Sequence, residues 1–312
     1  MKTVAVIDVG SNSIKMLVAA GSPGLPPRAL ASNTLEARIG AGISAERPSL
    51  GEAAIERGLK AVSRLASEAR AHGPVRIAVV ATSAVRDASN GADFGRRLEQ
   101  ATGLPLRILS GDEEADLIGR GLICDPALSG IRNFEQFDLG GGSLEALAFV
   151  DRRRIRAVSL QLGCVRLTER FVSDSSSPVA PEALRAIGLH VEEAFRTAGF
   201  DPILAPGAVA IGTGGSLTTA RAMLGAQEGR SLEQTPPTLP VSALEGLLKQ
   251  TASLGIGERR QLPGMTAERA DVLPAALATL LAVARLARAD SFHHSLFNLR
   301  WGVAAELIGS AD

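Results

Sequence analysis

The chain has no tyrosine, one tryptophan (Trp301) and nine phenylalanines among its 312 residues. Stacking platforms of the kind that single-strand nucleic-acid binders use are therefore scarce. Its two cysteines, Cys124 and Cys164, are isolated and outside CxxC spacing, which sets aside a disulfide framework or a zinc site and reads as buried thiols. Neither sign of charge is in excess, since 33 basic residues balance 33 acidic ones. No global field draws the protein to nucleic acid or membrane, and an anionic substrate has to be captured locally. Long hydrophobic runs are missing too: the longest uncharged apolar run, residues 272–284, contains Pro274 and is shorter than the roughly 20 residues that span a bilayer. The first apolar stretch ends at Asp8 and is shorter than a signal-peptide core, so a cytoplasmic location is expected. Lysine is rare, four against 29 arginines; compositional bias is the default account, with phosphate recognition by planar guanidinium forks as the other.

A length of 312 residues, 46% hydrophobic and 21% charged, is that of a soluble globular protein with about two domains. One stretch organises it. FDLGGGSLE, residues 137–145, has a near-copy in IDVGSNS, residues 7–13, and Asp8, Gly10 and Ser13 align with Asp138, Gly140 and Ser143. Each copy is a carboxylate at a strand end followed by a tight turn of small residues. Such a turn lets backbone N–H groups approach a phosphate while the aspartate holds a metal ion or its water. Two ordinary hairpin turns are the plain alternative; two loops of a duplicated fold would clamp a phosphate chain with its cation.

Residues 3–8, 14–20 and 28–35 read as a three-strand meander. Ser49 and Glu52 have capping-box spacing ahead of Ile55, Leu59, Val62 and Leu65, a helical series that Gly73-Pro74 ends. Residues 75–81 read as a buried strand delivering ATSAVRDASNG to its carboxyl end, where ligands collect in open α/β sheets. Arg86 in this segment either contacts phosphate or is a solvated arginine opening the next helix. After a strand at 106–109, Ser110 and Glu113 form a second capping box for a helix through residue 123. Reaching back to that cap accounts for the charge on Glu113. Glu114 lies about 100° further round the helix and is not needed for the cap, so it is the freer carboxylate; it either polarises a water or complements the helix dipole.

The second half repeats the plan. Residues 134–138, 144–150 and 155–161 form a second meander, with Asp151 and the arginines at 152–154 as a solvated hairpin tip. A helical run containing Arg166 starts at Gly163, a polar loop covers 173–181, and 182–197 is an amphipathic helix. The strand at 208–211 ends in Gly212-Thr-Gly-Gly-Ser216 and flows into helical residues through 224. Gly214 thus opens a third anion cradle, because a helix N-terminus offers unpaired N–H groups. It lacks the lysine of a P-loop, and no loop has GxGxxG spacing. Residues 227–239 read as a loop, and Ser242 with Glu245 as a third capping box for a helix to residue 253. Buried packing explains the alanine-rich run that follows. His293 and His294 are adjacent rather than four apart and read as a non-ligand pair. A short helix at 301–308 closes the chain.

Taken in order, IDVGSNSIKMLVA, ATSAVRDASNG, ILSGDEEADLIGRG, FDLGGGSLE, SLQLGCVRLTERF, IGTGGS, PGMTAERADVLPA and NLRWG resemble the motifs of the exopolyphosphatase and guanosine pentaphosphate phosphohydrolase (Ppx/GppA) family. That resemblance implies the α/β fold of the actin, Hsp70 and sugar-kinase superfamily, two ribonuclease-H-like domains with the active site in the cleft between them. We place the domains at residues 1–122 and 123–312, with the last helix packing back on the first. It further implies hydrolysis of the terminal phosphate of inorganic polyphosphate with Mg2+ or another divalent cation. By the same resemblance Glu114 is the catalytic base, and Asp8, Asp138 and Glu145 hold metal or water. The backbone of Gly10, Ser11, Asn12 and Ser13 and of Gly140, Gly141, Gly142 and Ser143 binds phosphoryl oxygens, with Gly214 as the third cradle. Arg86, Arg166 and Arg269 neutralise charge further along. A homodimer is implied, with neither nucleic acid nor membrane as partner.

Departures from the family pattern carry expectations of their own. The chain ends near residue 312, without the added helical region of longer members, so processive handling of very long polyphosphate is not expected. Leu144 stands where many members have threonine, a tolerated change at a strand start, and Asn298 stands where glycine is common. Four functions compete. Exopolyphosphatase leads; hydrolysis of guanosine pentaphosphate to tetraphosphate follows, because the terminal phosphoanhydride is the same. A non-catalytic alarmone-binding module is disfavoured by the joint presence of Glu114, Asp138 and Glu145. A sugar or acetate kinase is disfavoured by the motif order.

Overall fold

The structure is a computed structural model that describes residues 1–310. They form two compact units, Met1–Gly130 with the segment from Phe297 onward, and Ile131–Leu296. The first begins with β1 (Lys2–Val9), β2 (Ser13–Gly21) and β3 (Arg28–Glu36), followed by α1 (Glu52–Arg70), β4 (Arg76–Ala81) and α2 (Ser83–Arg86). It continues with α3 (Gly91–Thr102), β5 (Leu106–Ile108) and α4 (Gly111–Ile123). The sheet order is β3-β2-β1-β4-β5, with the first three strands antiparallel and β4 and β5 parallel to β1. Its boundary falls after Gly130 rather than residue 122, because α4 runs to Ile123 and a 3-10 turn, Pro126–Leu128, buries Leu128 beyond it.

The second unit contains β6 (Phe134–Leu139), β7 (Leu144–Val150), β8 (Arg153–Leu160), α5 (Cys164–Phe171), α6 (Pro181–Thr197) and β9 (Val209–Thr213). Then come α7 (Gly215–Gln227), β10 (Thr238–Pro240), α8 (Val241–Ala252), α9 (Ile256–Arg259), α10 (Leu273–Ala287) and β11 (Ser291–His294). Its sheet order is β10-β11-β9-β6-β7-β8. The antiparallel β6–β7–β8 meander repeats β1–β2–β3, and β9 lies parallel to β6 as β4 does to β1. The alanine-rich α10 is buried almost throughout, against α6 and α8, in a core that also holds Phe137, Leu167 and Phe292. The chain then returns to the first unit as α11 (Leu299–Gly309), which packs on α4, β1 and β2.

Of the three expected capping boxes, Ser110 with Glu113 forms: the Glu113 N–H donates to Ser110 Oγ at 3.2 Å, and the Ser110 N–H to Glu113 Oε2 at 2.9 Å. The other two do not. Gly51 caps α1, so Glu52 is the first helical residue and its carboxylate pairs with Arg97 instead. Helix α8 starts at Val241 directly after Pro240, which places Ser242 inside the helix. The tip between β7 and β8 is a two-residue turn with positive φ at Asp151 and Arg152, the backbone that matches strand twist. His293 and His294 lie in β11, a strand too short for periodicity to reveal.

The glycine of NLRWG has a packing role. A Cβ on Gly302 of α11 would stand 1.8 Å from Leu117 O of α4, and one on Gly121 would stand 2.0 Å from Asn298 O. The helices cross at backbone contact. Gly302→Ala should cost about 2–4 kcal/mol by forced overpacking. Gly309→Ala, in the same helix but facing open space, should stay within about 0.5 kcal/mol of wild type. Urea denaturation of both variants checks this; a Gly302→Ala curve that overlays the wild type would remove the close crossing.

Candidate active site

The two duplicated turns close identically. The Gly10 N–H donates to Ser13 O at 3.2 Å, and the Gly140 N–H to Ser143 O at 3.0 Å. They are hairpin turns, and their glycine amides are spent on closure rather than offered to a phosphate. The tips are Ser11 with Asn12 and Gly141 with Gly142. Their carbonyls are tied from behind: Ser11 O accepts from the Gly40 N–H and Asn12 O from the Arg38 N–H, both at 2.8 Å. In the second turn Gly140 O accepts from the Cys164 N–H at 3.0 Å, and Gly141 O from the Val165 and Arg166 N–H groups at 2.9 and 3.2 Å. Arg166 Nε adds a bond to Gly142 O at 2.9 Å. Because a trans peptide is planar, a carbonyl bound on one side turns the following N–H to the other. Each tip therefore presents amides away from its support, the arrangement of an anion-binding nest. Room is the other requirement. A Cβ on Gly40 would stand 2.6 Å from Ser11 Cβ, and one on Gly163 would stand 2.3 Å from the Gly141 carbonyl.

Strand register collects the acidic groups. Asp138 stands opposite Glu145 on β7 and beside Thr213 on β9, so the three side chains share one face of the sheet. All three are buried, and Ser159 Oγ donates to Glu145 Oε1 at 2.7 Å. Thr213 Oγ1 has no hydrogen-bond partner among the described residues. Two carboxylates and a spare hydroxyl fit Mg2+ or a similar cation, which takes one or two protein carboxylates and completes its shell with water and substrate oxygens. Among the described residues no three His, Cys, Asp or Glu side chains group to hold a metal by themselves. In the first unit the equivalent partner of Asp8 is Lys15. An ammonium there stands in place of the second carboxylate, a setting that disfavours a cation.

Glu113 and Glu114 separate as the cap geometry requires. Glu113 is exposed, held in the cap and bonded by Arg107 Nη2 at 3.1 Å. The backbone bond from Ser110, then Arg107, lower its pKa. Glu114 is buried, and Arg86 Nη1 donates to its Oε2 at 2.6 Å while also donating to Leu109 O at 3.1 Å. Two expectations change here. Glu114 is not an unengaged carboxylate, and Arg86 is a part-buried arginine whose guanidinium holds Glu114 rather than a solvated one opening the next helix. Helix α2, which carries Arg86, meets the first turn through Ser11 Oγ and Ser83 Oγ, 3.3 Å apart.

Gly214 begins the third turn with φ +105°, and a Cβ there would stand 2.4 Å from Leu139 O and 3.3 Å from Asp138 Oδ1. Glycine is required on both counts. The Arg269 guanidinium lies flat against Gly215 at the start of α7, where a Cβ would come within 2.3 Å of its Nη2. The second unit thus gathers Asp138, Glu145, the 140–143 turn, Arg166, Gly214 and Arg269, while the first gathers Asp8, the 10–13 turn, Arg86 and Glu114. Sequence reasoning missed Gly40, Ser83 and Thr213; only register and loop closure bring them in. Perturbed acidity points elsewhere. Glu135 has a pKa raised to about 7, by burial first and against the opposing charge of Arg156 at 3.6 Å, yet it is three residues from Asp138 and so on the other sheet face.

Two α/β units, each built on an antiparallel three-strand meander with a parallel strand beside its first strand, are the actin-like ATPase fold. The chain belongs to the Ppx/GppA phosphatase family, whose model matches residues 17–311, starting after the first turn. It is similar to the structure of an exopolyphosphatase-like protein, with 25% identity, 98% of both chains covered and a TM-score of 0.88. An exopolyphosphatase from Cytophaga hutchinsonii matches at 23% identity over 100% of this chain and 99% of that one, TM-score 0.86. The Aquifex aeolicus PPX-GPPA enzyme matches at 22% over 98% and 99%, TM-score 0.78. These last two show the fold, two ribonuclease-H-like α/β domains. Among the described residues no helix is long and apolar enough to cross a membrane.

Two outcomes follow from this geometry. In a double-mutant cycle of Arg86→Met with Glu114→Gln, urea denaturation should give a coupling of about 1–3 kcal/mol, as for a buried pair with one partly exposed partner; additive effects would dissolve the pair. Glu135 is protonated in the folded chain at a pH where it is ionised when unfolded, so its contribution to stability falls as pH rises from the ordinary carboxyl value of 4.5 to about 7. Glu135→Gln should therefore gain about 1–3 kcal/mol more over wild type at high pH than at low pH. A gain independent of pH would refute the raised pKa.

Proposed function

We propose that the protein is an exopolyphosphatase that removes the terminal phosphate of inorganic polyphosphate by attack of water, with Mg2+ or another divalent cation. The observation that carries this reading is Glu114: a buried carboxylate outside the helix cap, aimed by Arg86. A binding module has no use for such a base. Likeness to exopolyphosphatase structures supports it. Phosphoryl transfer is chiefly positioning and charge neutralisation. On this reading the tip amides of the 140–143 turn take non-bridging phosphoryl oxygens, and Arg166 and Arg269 of the same unit offset charge along the chain. Asp138 and Glu145, which face each other across β6 and β7, would hold the cation, which would supply positive charge to the phosphate oxygens. Glu114 orients the water and accepts its proton as the new P–O bond forms; the anhydride P–O bond breaks, and the shortened chain leaves.

Hydrolysis of guanosine pentaphosphate to tetraphosphate is the second reading, favoured by the family match, which spans both activities. The scissile bond is the same, so the machinery above serves it unchanged. Phosphate release from medium-chain polyphosphate and from guanosine pentaphosphate, in parallel and with and without Mg2+, tells them apart. Glu114→Gln should lower kcat about 100- to 10,000-fold and leave polyphosphate affinity within about threefold, while Glu113→Gln should keep turnover. Near-normal turnover in Glu114→Gln, or no release from either substrate by wild type, would overturn the proposal.

A further inference from the structure

His294 ligates nothing in the site described above, yet its buried ring is bonded on both sides. Nε2 lies 3.2 Å from Thr218 Oγ1 and Nδ1 lies 3.5 Å from Arg221 Nη1, both partners on α7. A guanidinium N–H only donates, so Nδ1 accepts and, in a neutral ring, the hydrogen sits on Nε2. The ring is neutral: burial first, then the charges of Arg221 and His293, push its pKa down to about 3. Nε2–H then donates to the Thr218 hydroxyl, which must direct its own hydrogen onward. That hydrogen goes to Gly214 O at 3.1 Å, an oxygen that also accepts the Thr218 backbone N–H at 3.2 Å. The strand carrying His294 is itself pinned, by its N–H to Pro237 O at 2.8 Å and by the Ser295 N–H to Gly212 O at 3.1 Å.

Gly214 O belongs to the peptide whose N–H is that of Gly215. Planarity sends this N–H the opposite way, out of the first turn of α7. The same residue is the surface on which the Arg269 guanidinium rests. We propose that His294 is a positioning residue for the third glycine turn: acting through Thr218, it fixes the Gly214–Gly215 peptide and so aims the Gly215 N–H and the Arg269 guanidinium at substrate phosphate. A threonine alone can bond the carbonyl four residues back, but nothing then commits its hydroxyl hydrogen to that direction. The histidine supplies the commitment. The inference rests on the proposed reading of this turn as a phosphate site.

The test compares Thr218→Val and His294→Leu, which break the relay, with Thr218→Ser and His294→Gln, which keep a hydroxyl and an N–H donor. Calorimetry with medium-chain polyphosphate gives Kd, steady-state phosphate release gives KM and kcat, and 15N NMR reports the His294 tautomer and the Gly215 amide. The breaking variants should weaken Kd and raise KM about tenfold, the loss of one hydrogen bond to the turn, with kcat within about twofold. The conservative pair should stay within about threefold of wild type. His294 should be neutral and protonated on Nε2 between about pH 5 and 8, and the Gly215 amide should shift in the breaking pair only. Unchanged Kd and KM in Thr218→Val and His294→Leu, or a ring protonated on Nδ1, would overturn the inference. A wild type that binds polyphosphate without releasing phosphate would overturn hydrolysis alone and leave the relay to be judged on Kd. A wild type that binds none would overturn the phosphate reading, and with it the aim at substrate.

Discussion

Each of the three small-residue turns depends on carbonyl oxygens being held from behind. In the turns at 10–13, 140–143 and 214–216 the carbonyls that would otherwise compete for the mouth of the turn are bound elsewhere: by residues 38 to 40, by the start of α5 with Arg166, and by Thr218. A planar peptide then has one direction left for the next N–H. An anion nest built this way needs no charged side chain at its tip, which suits a chain with no net charge to attract a polyanion. The same constraint explains the glycines. Gly40 and Gly163 are small because the supporting backbone must reach the turn, whereas Gly214 is glycine for its left-handed φ as well as for space.

Duplication has not kept the two turns equivalent. Their closure is the same to within 0.2 Å, 3.2 against 3.0, but Asp8 faces Lys15 where Asp138 faces Glu145. One aspartate is thereby given an ammonium across the strand pair, the other a second carboxylate. A cation prefers the latter, and the former turn is left next to the elements that carry Arg86 and Glu114. Divergence at one register position thus sets an ammonium against one aspartate and a second carboxylate against the other.

Much of this was legible in the chain. The two meanders, the aligned turns and the distinction between Glu113 and Glu114 follow from local spacing, and the structure has them. Capping boxes at Ser49 and Ser242 did not form because a motif of two residues fixes no helix start when Gly51 or Pro240 breaks the chain closer by. What stayed hidden depends on pairing between distant residues. Arg86 and Glu114 are 28 apart in sequence, and Thr213 matters only because β9 lies beside β6 in a register that puts it next to Asp138. Strands as short as β10 and β11 carry no period, so His294 looked like half of an idle pair.

The excess of arginine over lysine, at first sight compositional, has a structural use wherever arginine is buried. Arg259 is wholly buried and its three nitrogens donate to the carbonyls of Leu254, Ser175, Ser177 and Ala270. A lysine has one nitrogen and could not span those four oxygens. Ala270 directly follows Arg269, so the turn that brings Arg269 to Gly215 is itself anchored by Arg259. Arg166 holds a carbonyl of the 140–143 turn and Arg86 holds both Glu114 and Leu109 O. In each case a planar fork ties backbone in place. Substituting lysine at these positions would keep the charge and lose the geometry, which is why composition alone does not account for them.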